Sequence, residues 1–228
     1  MHKNFYNKVI VVEDTFLSCE ECQCILDKIH FLKDYWQFQQ HFPYLNFLPF
    51  SLYTIPTHES YISNVKIYKN LMYENFKDLY TSLKSKLSRI LSVELSFHDE
   101  LNYPGFHISN GKAMEKPNFH KDEFYQLRNI FTGKDKFYFN NHKILSVVLP
   151  LSVTSADDGL IYRTKNLSEI NRQSLNYNNF LPYKQGMLAI WDGNIQHSMK
   201  PFPMHTADNL RITLQCHISL GKNGYIFW

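Results

Sequence analysis

The chain has 228 residues, 44% hydrophobic and 16% aromatic, with a formal net charge of +3. That length and apolar content suit a folded body with a sizeable core and exclude a disordered tail. The small positive charge, without any Lys/Arg block, leaves no electrostatic footprint for nucleic acid.

The opening "MHKNFYNKVIVVED" holds an apolar run of only four residues, too short for the apolar region of a signal peptide, and "KVIVVED" reads as a strand. Residues 18–41, "SCEECQCILDKIHFLKDYWQFQQH", read as a helix, with Cys22, Ile25, Ile29 and Leu32 at helical spacing. Ser18 and Glu21 form a capping-box pattern at its start. Cys19 and Cys22 have the Cys-x-x-Cys spacing, but no second pair follows at ligand spacing, so the stretch reads as a helix start rather than a zinc site. With Cys24 and Cys216 the chain has four cysteines and no disulfide framework, which points to a reducing compartment, the cytoplasm.

Residues 43–62 are rich in Pro and aromatics and read as irregular. Residues 73–95 read as a second helix, with Phe76, Leu79, Leu83, Leu87 and Leu91 on one face. After residue 100 the pattern becomes a series of short strands bounded by turn residues: "GFHIS", "FHKDEFYQL", "KILSVVLPLS", "GLIYRT", "GMLAIWDG", "QHSMKPF" and "LRITLQCHISL". This predicts a mainly β, α+β protein. Residues 1–100 form an N-terminal strand and helical support, 101–220 a jelly-roll core, and the whole of 1–228 one domain. The longest apolar run, "ILSVVLPLSV", is too short to span a bilayer. Two long connections, 128–143 and 165–185, read as binding loops or a lid.

The chemistry begins with "FHKDEFY". On a strand His120 and Asp122 point to one face. With 11 His and 21 acidic residues, such a pair also arises by chance. A third ligand candidate, His197, follows an Asp-Gly-Asn turn in "GMLAIWDGNIQHSMKPF". Two His and one Asp make the facial set of non-haem Fe(II) sites, which leaves open positions. Zinc would bind the same residues, although its catalytic sites more often use three His, or two His and a Glu. A fourth element, Arg211, lies in "LRITLQCHISL", where Arg211, Thr213 and Gln215 share one face and Ile212, Leu214 and Cys216 the other. The planar fork of Arg211 matches a carboxylate, and Thr213 can donate to the same group.

His120-x-Asp122, His197 and Arg211-x-Thr213, in that order over residues 103–219, resemble the 2-oxoglutarate- and Fe(II)-dependent oxygenases with a double-stranded β-helix core. The opening "VVEDTFLSCEECQCILDKI" is also similar to the leading strand and helix of that family. The resemblance implies that His120, Asp122 and His197 hold Fe(II). It implies that Arg211, assisted by Thr213, pairs with the distal carboxylate of 2-oxoglutarate, and that O2 takes the last position. The products would be an oxidised substrate, succinate and CO2. Within the family, Asp122 favours hydroxylation over halogenation, and an Arg on the last long strand differs from the Lys of Jumonji-type members. His217 stands where nucleic-acid demethylating members carry a second Arg. The implied substrate is a small molecule, an amino acid or a natural-product intermediate. A protein or peptide hydroxylase and a non-catalytic jelly-roll binding module are the alternatives. The sequence carries no signal for oligomeric state.

Three further residues are candidates. His107 in "YPGFHIS" could face the co-substrate or be a satisfied core histidine. Arg163 in "DDGLIYRTK", beside Asp157 and Asp158, could border the substrate as an Arg–acid pair suited to a zwitterion, or be a solvated surface pair. Trp191 reads as core, and Tyr125 as packing.

Overall fold

The computed structural model describes residues 8–38, 40–51, 58–122, 143–163, 179–204, 209–221 and 224–228. The expected lid segments 128–143 and 165–185, and Tyr125, lie wholly or largely outside these residues. Among the described residues no helix is long and apolar enough to cross a membrane.

The chain opens with β1 (Val9–Glu13) and α1 (Cys19–Phe31). Ser18 caps α1 as expected: its side chain accepts from Glu21 N at 3.2 Å, and Glu21 accepts from Ser18 N at 2.8 Å. The helix ends ten residues before the sequence reading places its end. At Leu32 the chain tightens into a 3-10 turn (Lys33–Tyr35), and the Trp36 indole donates back to the Ile29 carbonyl at 3.0 Å. Two short strands follow, β2 (Gln37–Phe38) and β3 (Leu45–Leu48), where the sequence reading placed the tail of a helix and an irregular stretch.

The second helix, α2 (His58–Leu91), starts fifteen residues earlier than expected and is broken at Phe76, whose backbone is non-helical. Its first half turns Tyr61, Asn64, Val65, Tyr68 and Met72 inward. That stripe mixes polar and aromatic residues, so its period is less visible than the leucine stripe of the second half.

The remaining strands are β4 (Leu95–Phe97), β5 (Gly105–Ser109), β6 (Lys143–Ser152), β7 (Gly159–Arg163), β8 (Asn179–Pro182), β9 (Leu188–Asp192), β10 (Gln196–Met199), β11 (Ile212–Leu220) and β12 (Gly224–Phe227). A large sheet runs β1-β9-β6-β11-β5-β3-β2, with β12 joining β11 to β4. A small sheet runs β10-β7-β8. This is a jelly roll. The residues 119–122 do not form the expected strand: His120 makes one isolated bridge to His197, and the Asp122 amide then turns to the Gly193 carbonyl at 3.0 Å.

Strand alternation sorts the large sheet into two faces. Leu145, Val147, Leu149, Leu188, Ile190, Ile212, Leu214, Cys216 and Ile218 join α1 and α2 in the main core. The opposite face carries Ser146, Val148, Ala189, Trp191, Thr213, Gln215 and His217, with His107 from β5. β6 is apolar along nearly its whole length because both faces are covered. The polar residues on the inner face are the ones a core does not require.

Candidate active site

His120 and His197 form one exchanged antiparallel pair: His120 N donates to His197 O at 2.9 Å, and His197 N to His120 O at 2.8 Å. Directly opposed residues share a face, so the two rings meet, with centroids 4.5 Å apart. Asp122 completes the set. One Oδ lies 3.8 Å from His120 Nε2 and the other 3.5 Å from His197 Nε2, and the candidate ligand atoms all lie within 4.8 Å of one another.

The hydrogen bonds behind these groups prepare them for a metal. His120 Nδ1 lies 2.8 Å from the Asn118 carbonyl and His197 Nδ1 2.9 Å from the Ile195 carbonyl. A carbonyl only accepts, so each Nδ1 carries the proton and each Nε2 offers its lone pair to the shared space. Asp122 Oδ2 accepts a short hydrogen bond from Ser146 of β6, and Asp122 Oδ1 faces His120. Two neutral imidazoles and one carboxylate converging on one point are a donor set that fits Fe(II).

Electrostatics favour that state at Asp122 and His197. Burial pushes the Asp122 carboxyl up, but His197, His217 and His120 and the Ser146 hydrogen bond outweigh it and hold the group below the usual carboxylate range. Burial lowers His197, against the opposing pull of Asp122. Burial also drives His217 down to about 4 and His107 down to about 3, so both are neutral at physiological pH.

The three groups border a cavity of about 580 Å³ inside the jelly roll. Phe47, Trp191, Tyr183 and Trp228 supply aromatic wall, and Gln215, His107 and His217 supply polar points. Trp228 stacks on His217 with centroids 5.7 Å apart and planes 11° from parallel, and meets the edge of His107 at 5.1 Å. An aromatic cavity with few polar points is the usual form of a small-molecule site.

The other sequence-derived candidates fall in different places. His107 lines the cavity, and its Nδ1 has no hydrogen-bond partner. Arg211 and Thr213 are both buried at 2% exposure and neither lines the cavity. Thr213 Oγ1 accepts from Gln215 Nε2 at 3.2 Å. Asp158 does not pair with Arg163. It is 1% exposed and faces Arg211, with Oδ1 3.5 Å from one guanidinium nitrogen. Asp157 meets Lys200 at 2.6 Å instead. Arg163 donates to Gln196 at 3.3 Å and lies 4.0 Å over the Phe119 ring, near the cavity but not on its wall. The expected Arg–acid pair at the mouth is therefore absent among the described residues. The tight turn Ser155–Asp158 folds Asp158 inward, where β7 delivers it to Arg211 rather than outward to Arg163.

Ser146, His217, Gln215, Met199 and Trp228 were not identified as site residues from the sequence. The first three were legible in principle. Ser146 interrupts an apolar strand, and Gln215 and His217 continue the face of Thr213. Met199 and Trp228 carried no signal, because apolar residues are expected in a core.

No family model and no curated protein matches the sequence. Solved structures do match in fold. An N-substituted L-amino acid dioxygenase from Burkholderia ambifaria AMMD superposes with a TM-score of 0.54 at 13% identity, covering 78% of this chain and 76% of that one. A second structure of that dioxygenase, in complex with alpha-ketoglutarate, gives 0.53 at 11% identity over 93% of this chain and 83% of that one. HygX from Streptomyces hygroscopicus, with nickel, 2-oxoglutarate and hygromycin B bound, gives 0.53 at 11% identity, covering 95% and 84%. A member of the 2OG-Fe(II) oxygenase family from Burkholderia pseudomallei gives 0.50 at 10% identity, covering 92% and 82%. The jelly roll of this chain is the one these oxygenases share.

Proposed function

We propose that this protein is a 2-oxoglutarate- and Fe(II)-dependent dioxygenase that hydroxylates a small molecule, an amino acid or a natural-product intermediate. The observation that carries the reading is the convergence of His120 Nε2, His197 Nε2 and the Asp122 carboxylate at the wall of the jelly-roll cavity. Iron bound there, with a 2-oxo acid and O2, would supply the oxidising equivalent, with succinate and CO2 as co-products. The protein's own part is to fix the ligands, to orient the co-substrate through Arg211, and to hold the substrate in a dry aromatic cavity.

Several features support a small molecule. The cavity lies within the jelly roll and is lined by aromatic residues, and the neighbours of shared fold include an amino acid dioxygenase and a protein holding hygromycin B. Anaerobic titration with Fe(II) and 2-oxoglutarate tests the core of the reading. A weak visible charge-transfer band is expected only when both are present. No band, with Fe(II) unbound by calorimetry, would show the domain to be a non-catalytic binding module. A screen of amino acids and natural-product intermediates for stimulated succinate formation then tests the substrate class. Stimulation by peptides alone would move the assignment to a peptide hydroxylase.

A further inference from the structure

Arg211 is not an open hook waiting for a carboxylate. Its guanidinium Cζ lies 4.0 Å from the centre of the Phe202 ring, Nη1 lies 3.5 Å from Asp158 Oδ1, and Nη2 donates to the sulfur of Met199 at 3.1 Å. The Asp158 side of this arrangement is fixed. Asp158 Oδ2 accepts from Thr154 N at 2.6 Å, from Thr154 Oγ1 at 2.8 Å and from Ser155 N at 3.3 Å. A carboxylate tied by three donors holds its remaining oxygen, and hence the guanidinium, in one place.

The Met199 side is different in kind. A thioether is a weak acceptor on a side chain with three rotatable bonds, whereas the donor is a full cation. Met199 is half-buried and stands on the cavity wall, so it has room to move. It lies two residues beyond His197 on β10, so the two side chains share a face about 6.6–6.8 Å apart. The strand thus carries a candidate metal ligand and the side chain that touches the guanidinium on one face. Tyr44 and Tyr183, also on the wall, lie close enough to Arg211 to interact with it electrostatically. Their hydroxyls can donate to an anion arriving at a guanidinium that Asp158 already neutralises.

Resting on the function proposed above, we infer that Met199 is a displaceable cap on Arg211. Its thioether fills the place on Nη2 that a distal carboxylate oxygen of a dicarboxylic 2-oxo acid takes, and it swings aside when that acid binds. Asp158 is the positioning residue that keeps the guanidinium still during the exchange. A 2-oxo acid without a distal carboxylate has nothing to offer Nη2 and leaves Met199 in place. The cap therefore makes the co-substrate's distal end a requirement for opening this part of the cavity.

The test uses the full chain labelled with [methyl-13C]methionine and loaded with diamagnetic Zn(II) in place of iron, so that binding is read without turnover. Six methionine signals are expected, and the Met199→Leu variant assigns one of them. 2-Oxoglutarate should shift the Met199 methyl signal, and pyruvate, bound at its own saturating concentration, should not. By calorimetry Met199→Ala should bind 2-oxoglutarate about fivefold tighter, the equivalent of one weak hydrogen bond that no longer has to be broken. The inference is overturned if 2-oxoglutarate binds with the Met199 signal unmoved, if pyruvate moves it equally, or if Met199→Ala binds no tighter. A wild-type protein that binds Zn(II) but no 2-oxoglutarate fails differently: it removes the functional reading itself.

Discussion

Ser146 stands between Asp122 and His217, its hydroxyl donating to Asp122 Oδ2 while its oxygen lies 3.3 Å from His217 Nδ1. The single hydroxyl proton is committed to the carboxylate, so His217 must supply the proton of the second contact. The result is a buried relay, imidazole N–H to hydroxyl to carboxylate, running from β11 through β6 to the candidate metal ligand. Its effect is to fix which way the Asp122 carboxylate turns.

Ser146→Ala should therefore leave the fold intact and weaken metal binding. Outer partners of metal ligands are worth roughly 10–100-fold in affinity. Titration of Fe(II) or Mn(II) under argon reads this directly. Wild-type affinity in the variant would mean that Asp122 needs no orienting partner.

Arg211 and Asp158 form a buried pair, at 2% and 1% exposure. Removing one partner strands the other charge, which costs about 3–5 kcal/mol. Arg211→Leu should thus lower unfolding stability by about that amount, apart from any loss of co-substrate affinity. Arg211→Leu with Asp158→Asn should recover most of the stability, because an amide oxygen still accepts from Thr154 and Ser155. Urea denaturation of the two variants and the wild type decides it. Equal destabilisation in both variants would show that charge is not the cause.

The candidate site residues were legible because they break local rules. His197 sits on β10, whereas His120 and Asp122 are placed by one bridge and a turn and Arg211 precedes β11, and the jelly roll brings the ligand atoms of His120, Asp122 and His197 within 4.8 Å of one another. The role of Asp158 was not legible. Its partner lies 53 positions away, and an acid next to Arg163 in sequence looks like that residue's neighbour. The β strands flanked by turns were readable from composition, but β2, β3, β4 and β12 are two to four residues long and exist through pairing with the sheet rather than through their own pattern. The shortening of α1 follows from Trp36 bonding back to Ile29, a contact no periodicity encodes.

His107 should make the metal-free fold sensitive to acid. Burial, with the Arg211 charge nearby, lowers its folded pKa to about 3, whereas an unfolded histidine titrates near 6.5. Between those values the unfolded chain binds a proton that the folded chain refuses, so stability rises with pH. The contribution is fully present above about pH 6.5 and is lost progressively as pH falls towards 3, with a limiting slope of about 1.4 kcal/mol per pH unit. His107→Gln should flatten the dependence between pH 4.5 and 6.5 by about one proton, as read from urea midpoints at each pH. An unchanged slope would show that His107 is protonated in the folded protein.

Gly105 and Trp228 set the depth of the cavity together. A Cβ built on Gly105 would land on the indole of Trp228, at Nε1, Cδ1 and Cε2. The indole has nowhere to retreat. Its Nε1 donates to the Pro49 carbonyl at 3.1 Å, the Trp228 carbonyl accepts from the Tyr61 hydroxyl at 2.6 Å, and its faces and edge are occupied by His217 and His107. Gly105→Ala should therefore overpack the site and cost about 1–3 kcal/mol, lowering the thermal midpoint by roughly 2–4 °C for each kcal/mol in a chain of this size. Because Trp228 moves, the cavity wall moves with it, so binding of any ligand that reaches His107 and His217 should weaken more than metal affinity does. Gly105→Ala combined with Trp228→Phe should regain part of the lost stability, since the smaller ring vacates the position of the indole nitrogen. If Gly105→Ala alone is as stable as the wild type, the backbone at β5 can give way and Trp228 is not a fixed wall.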